Sequence, residues 1–301
     1  MKLGISINRG MNDYFSDERL VSEFARIGFD CIDYGFFHTE EDAICGHIPE
    51  IYLPEPQFEA HFAKIRDIIH GNGMTVSQTH AAFKIDDLPE VGVSDQKLFG
   101  LRRCIRATAI LGAKYVVIHP VKRPYNEKAQ QIFDLTVSTY KQLIPDLVAN
   151  DVYVCAENQF GRDDLKRPVP CSGSYPDQLL RLIDATGSDR FGICLDTGHM
   201  LLCGGDVGDA VRQFGDKLKI LHVHDNDKID DRHAIPLDGN GEIEIDWPGF
   251  VSALKETGFD GVFSLEIDGA IFRAAAVYPE LMFDYVKIAY KIARKLVGGA
   301  V

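Results

Sequence analysis

Three carboxylates of this chain lie inside apolar runs, where a charged side chain is costly to bury. Glu157 ends the run VYVCAE, Asp196 ends FGICLD, and Glu266 follows VFSL. A carboxylate in such a run costs several kcal/mol of desolvation unless it is paired or coordinated. His222, in LHVHDND, holds the corresponding place in a fourth apolar run. Three carboxylates and one imidazole, if brought together, form a ligand set for a divalent cation.

The composition of this four-residue set indicates which cations fit it. Oxygen-rich ligation with a single histidine favours Mn²⁺, Mg²⁺ or Co²⁺, whereas a set with more histidines favours Zn²⁺. A bound cation would also offset the mutual repulsion of the carboxylates, which otherwise raises the pKa of at least one of them. The sequence therefore predicts a divalent-metal site and leaves Zn²⁺ as an alternative.

A second set of polar residues stands at the predicted strand ends or in the loops that follow them: His80, His119, Asn158, His199, Asp231 and His233. Asp231 and His233 are two residues apart, so their side chains share one side of the chain if that loop is extended. Each histidine can be a metal ligand, a substrate contact or a strand-end residue that only hydrogen-bonds. Asn158, His199 and His80 are the candidate substrate contacts.

The elements that would position these residues alternate regularly. Short β-rich runs are each followed by a longer segment with apolar residues at helical spacing. The eight runs are 2–7, 31–36, 75–81, 115–120, 152–158, 191–196, 218–225 and 261–268. Several helical segments end in glycine, which is typical of a left-handed helix cap. Eight β-α units with right-handed crossovers favour an α/β fold, a single (β/α)₈ TIM barrel over residues 1–301, in which the strand ends carry the chemistry. An open doubly wound sheet is the alternative, but no GxGxxG follows the first strand.

Composition limits the partners and the location of the protein. The 301 residues carry 32 Lys and Arg against 45 Asp and Glu, a net charge of -13, so we expect no nucleic-acid partner. No apolar run is long enough to span a membrane and the first residues lack a signal core, which predicts a cytoplasmic protein. Seven cysteines without CxxC spacing indicate reduced thiols. A homo-oligomer is plausible, although no sequence feature identifies an interface.

The strings around these residues resemble those of the xylose isomerase-like TIM-barrel superfamily, also called AP endonuclease family 2. They are AEN at Glu157, LDTGH at Asp196 and His199, HVHDND at His222, and DRH followed by GNGEIEIDW. The resemblance covers nearly the whole chain and depends on the order of these strings. It implies a TIM barrel in which Glu157, Asp196, His222 and Glu266 bind one metal. As in ketose 3-epimerases of the superfamily, Glu157 and Glu266 would also serve as acid and base.

The same superfamily contains endonuclease IV-type AP endonucleases, which use three zinc ions. By resemblance their ligand pattern can be followed through the four residues above and through His80, His119, His199, Asp231 and His233. The chain departs from the ketose 3-epimerases after His222, where an arginine is replaced by Lys228 and acids. The DRH and GNGEIEIDW segments also resemble sugar phosphate isomerase/epimerase-like proteins, including inosose dehydratases.

Together these observations predict a metal-dependent sugar or polyol isomerase or epimerase. The residues would remove a proton next to a carbonyl, through an enediolate intermediate. The alternatives are a zinc-cluster phosphodiesterase, a keto-polyol dehydratase of the inosose type, and a binding barrel without turnover.

Overall fold

The structure is a computed structural model, which describes residues 1–36, 49–81, 92–123, 128–238 and 245–298. Eight parallel strands form its central sheet, and we label them β1 to β8. They are β1 (Lys2–Ile7), β2 (Cys31–Gly35), β3 (Thr75–His80), β4 (Tyr115–Val117), β5 (Tyr153–Glu157), β6 (Phe191–Asp196), β7 (Leu218–His222) and β8 (Val262–Leu265).

The strands pair in the order β8-β1-β2-β3-β4-β5-β6-β7, so each strand lies beside the next along the chain. The last gap is bridged where Val223, just past β7, pairs in parallel with Leu265 of β8. The backbone N–H of Val223 donates to Ser264 at 2.8 Å, and that of Glu266 donates to Val223 at 3.1 Å. The sheet therefore forms a nearly closed barrel and not an open doubly wound sheet, which confirms the predicted fold class.

Helices surround the barrel and link its strands. In chain order they are α1 (Asp17–Ile27), α2 (Gln57–Gly71), α3 (Asp95–Leu111), α4 (Ala129–Asn150), α5 (Pro176–Thr186), α6 (Thr197–Leu202), α7 (Val207–Phe214), α8 (Trp247–Glu256), α9 (Asp268–Ala275) and α10 (Leu281–Gly298). Short 3-10 helices occupy Arg9–Asp13, Pro49–Tyr52 and Gly215–Lys217.

Local sequence explains where many of these helices begin and end. The Ser16 and Ser94 hydroxyls accept the backbone N–H of the third helical residue of α1 and α3, each at 3.3 Å, and so satisfy one of the donors left over at a helix start. Gly112 ends α3 in the left-handed conformation at φ 82°, which a residue with a side chain rarely adopts. Gly28 and Gly187 follow α1 and α5 in the same way, so several helices end in glycine before the next strand, as the sequence predicted. Asn72 and Asp151 follow α2 and α4 instead.

An apolar layer lies directly beneath the strand ends. Val117, Cys155, Cys194 and Ile220, from four successive strands, form a buried cluster separate from the main core between barrel and helices. Because side chains alternate along a strand, a residue two positions further on points to the same face. His119, Glu157, Asp196 and His222 occupy those positions, so the pleat directs them to the face of the sheet that carries this cluster.

Some features of the fold were not predicted. A two-stranded antiparallel hairpin, Phe160–Arg162 with Pro168–Pro170, occupies the loop after β5. The short helix α6 follows β6 directly, and the short helix α9 begins at Asp268, shortly after β8. The six cysteines in the described ranges are free and buried, as predicted, while Cys45 lies outside those ranges. Among the described residues, no helix has the length and apolar character needed to cross a membrane. That residues 1–301 make one domain stays a prediction.

Candidate metal centre

The structure brings the predicted residues to the carboxyl end of the barrel. His80, Glu157, Asp196 and His222 are the last residues of β3, β5, β6 and β7. His119 follows β4 by two residues, and Glu266 comes directly after β8. Parallel strands in a barrel place all such ends on one face, which is where TIM barrels collect their functional side chains.

Glu157, His222 and Glu266 form the centre of the cluster. His222 Nδ1 lies 3.1 Å from Glu266 Oε2 and 3.5 Å from Glu157 Oε1. All three residues are buried, with relative exposures of 1% for Glu157, 0% for His222 and 9% for Glu266. Two carboxylates from different strands therefore approach the same ring nitrogen.

His222 provides a test of whether this centre fits a metal ion. Among the described residues, neither ring nitrogen has a partner for a hydrogen bond of acceptable geometry, although the ring is fully buried. A buried polar atom without a partner is rare and calls for an explanation. An imidazole nitrogen facing two carboxylate oxygens is the donor arrangement that a divalent cation would satisfy. The residues present therefore fit a metal ion.

A carboxylate and an amide lie behind His222 on the side away from the two glutamates. Asp33 Oδ2 is 3.1 Å from His222 Nε2 and also accepts a hydrogen bond of 2.8 Å from Gln78 Nε2. Asp33 is 2% exposed. A carboxylate on the second nitrogen of a metal-binding histidine fixes the orientation of the ring and raises its basicity. The sequence analysis missed Asp33, although its place in the apolar strand CIDYG gave the same signal as Glu157.

His80 and His119 approach Glu157 from β3 and β4. Glu157 Oε2 lies 2.8 Å from His119 Nε2 and 3.5 Å from His80 Nε2, and the two histidine Nε2 atoms are 3.0 Å apart. His80 Nδ1 donates to the carbonyl of Ala81 at 2.9 Å, so in the neutral ring Nε2 is the unprotonated nitrogen. Burial lowers the pKa of His119 to about 4 against the opposing effect of Glu157. Both imidazoles thus direct a nitrogen with ligand character toward the Glu157 carboxylate.

A further group lies on the other side of Glu157 and contains His199, Asp231 and His233. His199 Nδ1 is 3.3 Å from Glu157 Oε1 and donates to the Asn158 carbonyl at 2.9 Å. Asp231 Oδ2 lies 3.1 Å from His199 Nε2 and 3.3 Å from His233 Nε2. The predicted pairing of Asp231 and His233 on one side of their loop is therefore present, and His199 joins them.

Asp196 meets the cluster through histidines. Its Oδ2 lies 3.0 Å from His224 Nε2, while its Oδ1 accepts the backbone N–H of His199 at 2.7 Å and so caps α6. The Asn158 side chain holds the Asp196 backbone, with Nδ2 donating to the carbonyl at 2.9 Å and Oδ1 accepting the N–H at 2.7 Å. Asn158 therefore links the end of β5 to the end of β6. Each side-chain oxygen of Asp196 retains a further lone pair.

Two more residues of this cluster were not among the predicted candidates. His224 is fully buried and its ring stacks on that of His233 at a centroid distance of 4.3 Å. Asp268 Oδ1 lies 2.7 Å from His233 Nδ1, and its Oδ2 accepts a hydrogen bond of 3.0 Å from Asn8. Asp268 is two residues beyond Glu266, a spacing that could have indicated it.

The electrostatics of the two glutamates differ. Burial raises the pKa of Glu266, and the charges of His222 and His233 offset only part of that effect. Burial also acts to raise the pKa of Glu157, but the charges and hydrogen bonds of the histidines around it hold it well below its usual value. The pKa values of the two carboxyls of the centre are therefore shifted in opposite directions before any cation is bound, a pattern that acid-base pairs in active sites use.

The described residues contain several sets able to hold a cation. They include His80 with His119 and Glu157, His80 with His222 and Glu266, and His199 with Asp231 and His233. Within each set the ligand atoms lie within 4.8 Å of one another. The polar end of the barrel therefore offers two donor groups that share His80 and include Glu157, His222 and Glu266, and a separate group of His199, Asp231 and His233.

Comparison with known proteins agrees with this fold. The profile of the family described as xylose isomerase-like TIM barrel matches residues 21–282, and the chain belongs to this family. This membership establishes the scaffold of the chain.

Curated relatives of the chain carry different names. It is 27% identical over 200 residues to the uncharacterized protein MJ1311 of Methanocaldococcus jannaschii, covering 65% of this chain and 64% of that protein. It is 27% identical over 218 residues to the probable endonuclease 4 of Metamycoplasma arthritidis, covering 64% and 75%. The inosose isomerase of Bacillus subtilis is 25% identical over 163 residues, covering 52% and 55%. The chain thus spans less than two thirds of the first and the third of these relatives.

Solved structures share the fold over nearly the full chain. A D-psicose 3-epimerase crystallised in the presence of D-fructose superposes with a TM-score of 0.71 at 17% identity, covering 99% of this chain and all of that one. The IOLI protein with a bound zinc atom also has a TM-score of 0.71, at 19% identity, covering 99% and 98%.

Proposed function

We propose that this protein is a divalent-metal-dependent isomerase or epimerase of a sugar or polyol, which moves a proton at the carbon next to a carbonyl. The observation that carries the proposal is the approach of Glu157 and Glu266 to one nitrogen of His222, from strands on either side of β7. Such a reaction needs one carboxylate to take a proton from the carbon and another to return one. The activities named for the D-psicose 3-epimerase and the inosose isomerase support this class of chemistry.

The residues of the centre would have three kinds of role: binding the cation, transferring the proton and contacting the substrate. Glu157, Asp196, His222 and Glu266 would hold the cation. A cation bound there would polarise the substrate carbonyl and stabilise negative charge that develops on its oxygen. Glu266, whose pKa is raised by burial, would hold the proton that is delivered, and the ionised Glu157 would accept one. His80 and His199 border this carboxylate pair and would contact substrate hydroxyls.

The structure places additional histidines beside the predicted ligands, and these change which cation the site favours. The four-residue set alone favoured Mn²⁺, Mg²⁺ or Co²⁺, but His80, His119 and His199 each approach Glu157 within 3.5 Å. Additional imidazole donors favour Zn²⁺. Metal analysis of the purified protein, expressed as ions per chain, measures both the identity and the number.

The test of the proposal is proton exchange in D₂O with a panel of ketoses and inososes, read by NMR. We expect deuterium to enter next to a carbonyl in at least one compound. Glu157→Gln and Glu266→Gln should each reduce this exchange by about 10²–10⁴-fold, the usual contribution of a general acid or base. Glu256→Gln is the matched control, because Glu256, at the end of α8, is exposed and pairs with Arg212 of α7. Exchange at the wild-type rate in both site variants would refute the acid-base assignment.

A zinc-dependent phosphodiesterase is a second candidate, because the structure also assembles His199, Asp231 and His233 beside the centre. The relative named probable endonuclease 4 supports it. This candidate predicts about three zinc ions per chain, cleavage of abasic DNA, and no deuterium exchange with any sugar. Loss of water from an inosose, the dehydratase alternative, would be detected in the same panel by a change of mass.

A further inference from the structure

The last helix, α10, carries apolar side chains on its outer face. Five of the twelve large hydrophobic side chains that are exposed among the described residues lie within residues 277–288, so they are concentrated there. They are Val277, Tyr278, Leu281, Tyr285 and Ile288. Leu281, Tyr285 and Ile288 are spaced by four and three residues, which places them on one face of the helix. Single exposed apolar residues are ordinary, but a contiguous apolar stripe marks an interaction surface.

The opposite face of α10 already packs on the barrel. Its buried residues are Met282, Phe283, Val286, Ala289 and Ala293. Helix α1 lies alongside, since the Phe15 ring contacts that of Phe283 at a centroid distance of 4.8 Å and Arg19 pairs with Glu280 at 3.3 Å. The apolar stripe therefore faces away from the barrel, where another molecule can reach it.

The charged residues on this outer face are segregated along the helix. Asp284 lies in the first turn, Lys291 and Lys295 lie in the C-terminal half, and all three are exposed. Asp284 accepts from Lys287 at 2.9 Å, whereas no carboxylate of the described residues lies within ion-pair distance of Lys291 or Lys295. These two lysines are four residues apart, a spacing at which like charges on a helix repel each other. One end of the stripe is thus acidic, and the other carries unbalanced basic charge.

The charge of α10 also differs from that of the chain as a whole. A net charge of -13 means that two copies of the chain repel each other in general. Helix α10 contains four basic residues and one acidic residue, Asp284, so this repulsion between acidic surfaces does not apply there. A second copy of the chain can therefore approach this helix more easily than it can approach an acidic surface.

We propose that α10 is the interface of a homodimer, in which the helices of two copies pack antiparallel about a two-fold axis near Ile288. Such an axis brings the same surface of both copies together, so positions equally far before and after Ile288 oppose each other. Asp284 then lies beside Lys291 of the second copy, and Leu281 packs on the aliphatic stem of Lys295. Both Asp284–Lys291 contacts form at once, and each supplies an acid to a lysine that has none in its own chain.

The contact must extend beyond one helix. A stable interface buries about 800 Å² on each copy, which is more than a single helix face provides. Exposed residues next to α10 would supply the rest: Val277 and Tyr278 before its first turn, and Tyr14 just before α1. The apolar stripe would form the centre of this interface and the charged residues its rim, as in other protein interfaces.

The first test measures the oligomeric state of the full chain by sedimentation velocity at about 1–100 µM, where an interface of this size is populated. Ile288→Glu places a charge against its own copy at the axis. Because Ile288 is 52% exposed and glutamate is a good helix former, the variant should fold like the wild type. We expect the wild type to dimerise and Ile288→Glu to raise the dissociation constant about 100-fold or more. The matched control is Val148→Glu, which should dimerise like the wild type, because Val148 is exposed on α4, across the barrel from α10.

The second test reverses the charges at the rim. Asp284→Lys and Lys291→Glu should each weaken dimerisation about tenfold or more, because each places like charges opposite one another. An equimolar mixture of the two variants should form a heterodimer, since position 284 of one variant and position 291 of the other then carry opposite charges. Thermal unfolding followed by circular dichroism checks that every variant is folded.

Two outcomes would overturn the dimer: a wild type that stays monomeric over this concentration range, or a dimer that Ile288→Glu leaves intact. A mixture no more associated than the single charge variants would overturn the antiparallel arrangement. A membrane surface is the other occupant that a basic amphipathic helix suits. Cosedimentation with vesicles of anionic phospholipid tests it, and vesicle binding by a monomeric wild type, lost in Ile288→Glu, would replace the second copy by a membrane.

Discussion

Replacement of Asp33 by Asn removes the charge behind His222 with almost no change of shape. The carboxylate oxygen Oδ2 faces both His222 Nε2, at 3.1 Å, and Gln78 Nε2, at 2.8 Å. An amide oxygen in the same place can still accept from Gln78 Nε2 and lie beside His222 Nε2, so the variant should fold. It cannot supply the negative charge that makes His222 a stronger donor on its other nitrogen.

The expected effect of Asp33→Asn is a 10–100-fold loss of metal affinity. Residues that hold a metal-binding histidine through its second nitrogen typically contribute this much. The loss corresponds to about 1.4–2.8 kcal/mol of binding free energy. Burial supports the upper part of the range, because Asp33 is 2% exposed and solvent does not screen its contact with His222.

The assay is a competitive titration of the metal-free protein against a chromophoric chelator, with Mn²⁺ and Zn²⁺ in turn. Asp30→Asn is the matched control, since Asp30 is an exposed carboxylate just before β2 that accepts the Leu3 backbone N–H at 2.9 Å. Asp30→Asn should bind metal like the wild type. If Asp33→Asn also does so within twofold, His222 does not bind the cation through Nδ1 and the centre described above is wrong.

Two further predictions concern packing around the site. A Cβ at Gly198 would lie 2.1 Å from Cε1 and 2.5 Å from Nδ1 of the buried His224, so Gly198→Ala should displace that ring, lower the free energy of unfolding by about 1–3 kcal/mol and weaken metal binding; unchanged thermal unfolding and unchanged metal affinity would contradict this. Tyr140→Phe removes the buried hydrogen bond of 2.6 Å to the carbonyl of Ile118, next to His119, and should lower the free energy of unfolding in urea by about 1–3 kcal/mol, whereas no change would show that the hydroxyl contributes nothing to holding the end of β4.

The sequence was sufficient to predict the barrel because each unit carries its own local signals. The apolar strand runs are bounded by loops, and the helices are long enough for the 3.6-residue period to show, as in α4 with 22 residues. The hairpin after β5 and the helix α6 were missed because they are too short for either period. A strand of three residues contains less than two periods of strand alternation, and a helix of six residues contains less than two helical turns.

The candidate site was predicted only as far as strand-end position allows. Glu157 and Glu266 were identifiable because a carboxylate in an apolar run needs a partner wherever the strand lies. The partners themselves depend on closure of the barrel, which brings Asp33 of β2 against His222 of β7 across the interior. No local pattern contains that contact.

Barrel closure also explains why the polar network extends below the rim. Gln78 Nε2 donates to the Leu221 carbonyl at 3.2 Å as well as to Asp33, so one buried amide joins β2, β3 and β7. A buried polar network is stable only when its members satisfy one another, and each one restricts the rotamers of the next. His222 is therefore oriented from below by Asp33 and Gln78, while the glutamates approach from above. Because Asp33 and Gln78 fix the ring, Glu157 and Glu266 do not have to orient it for His222 Nδ1 to lie between their carboxylates.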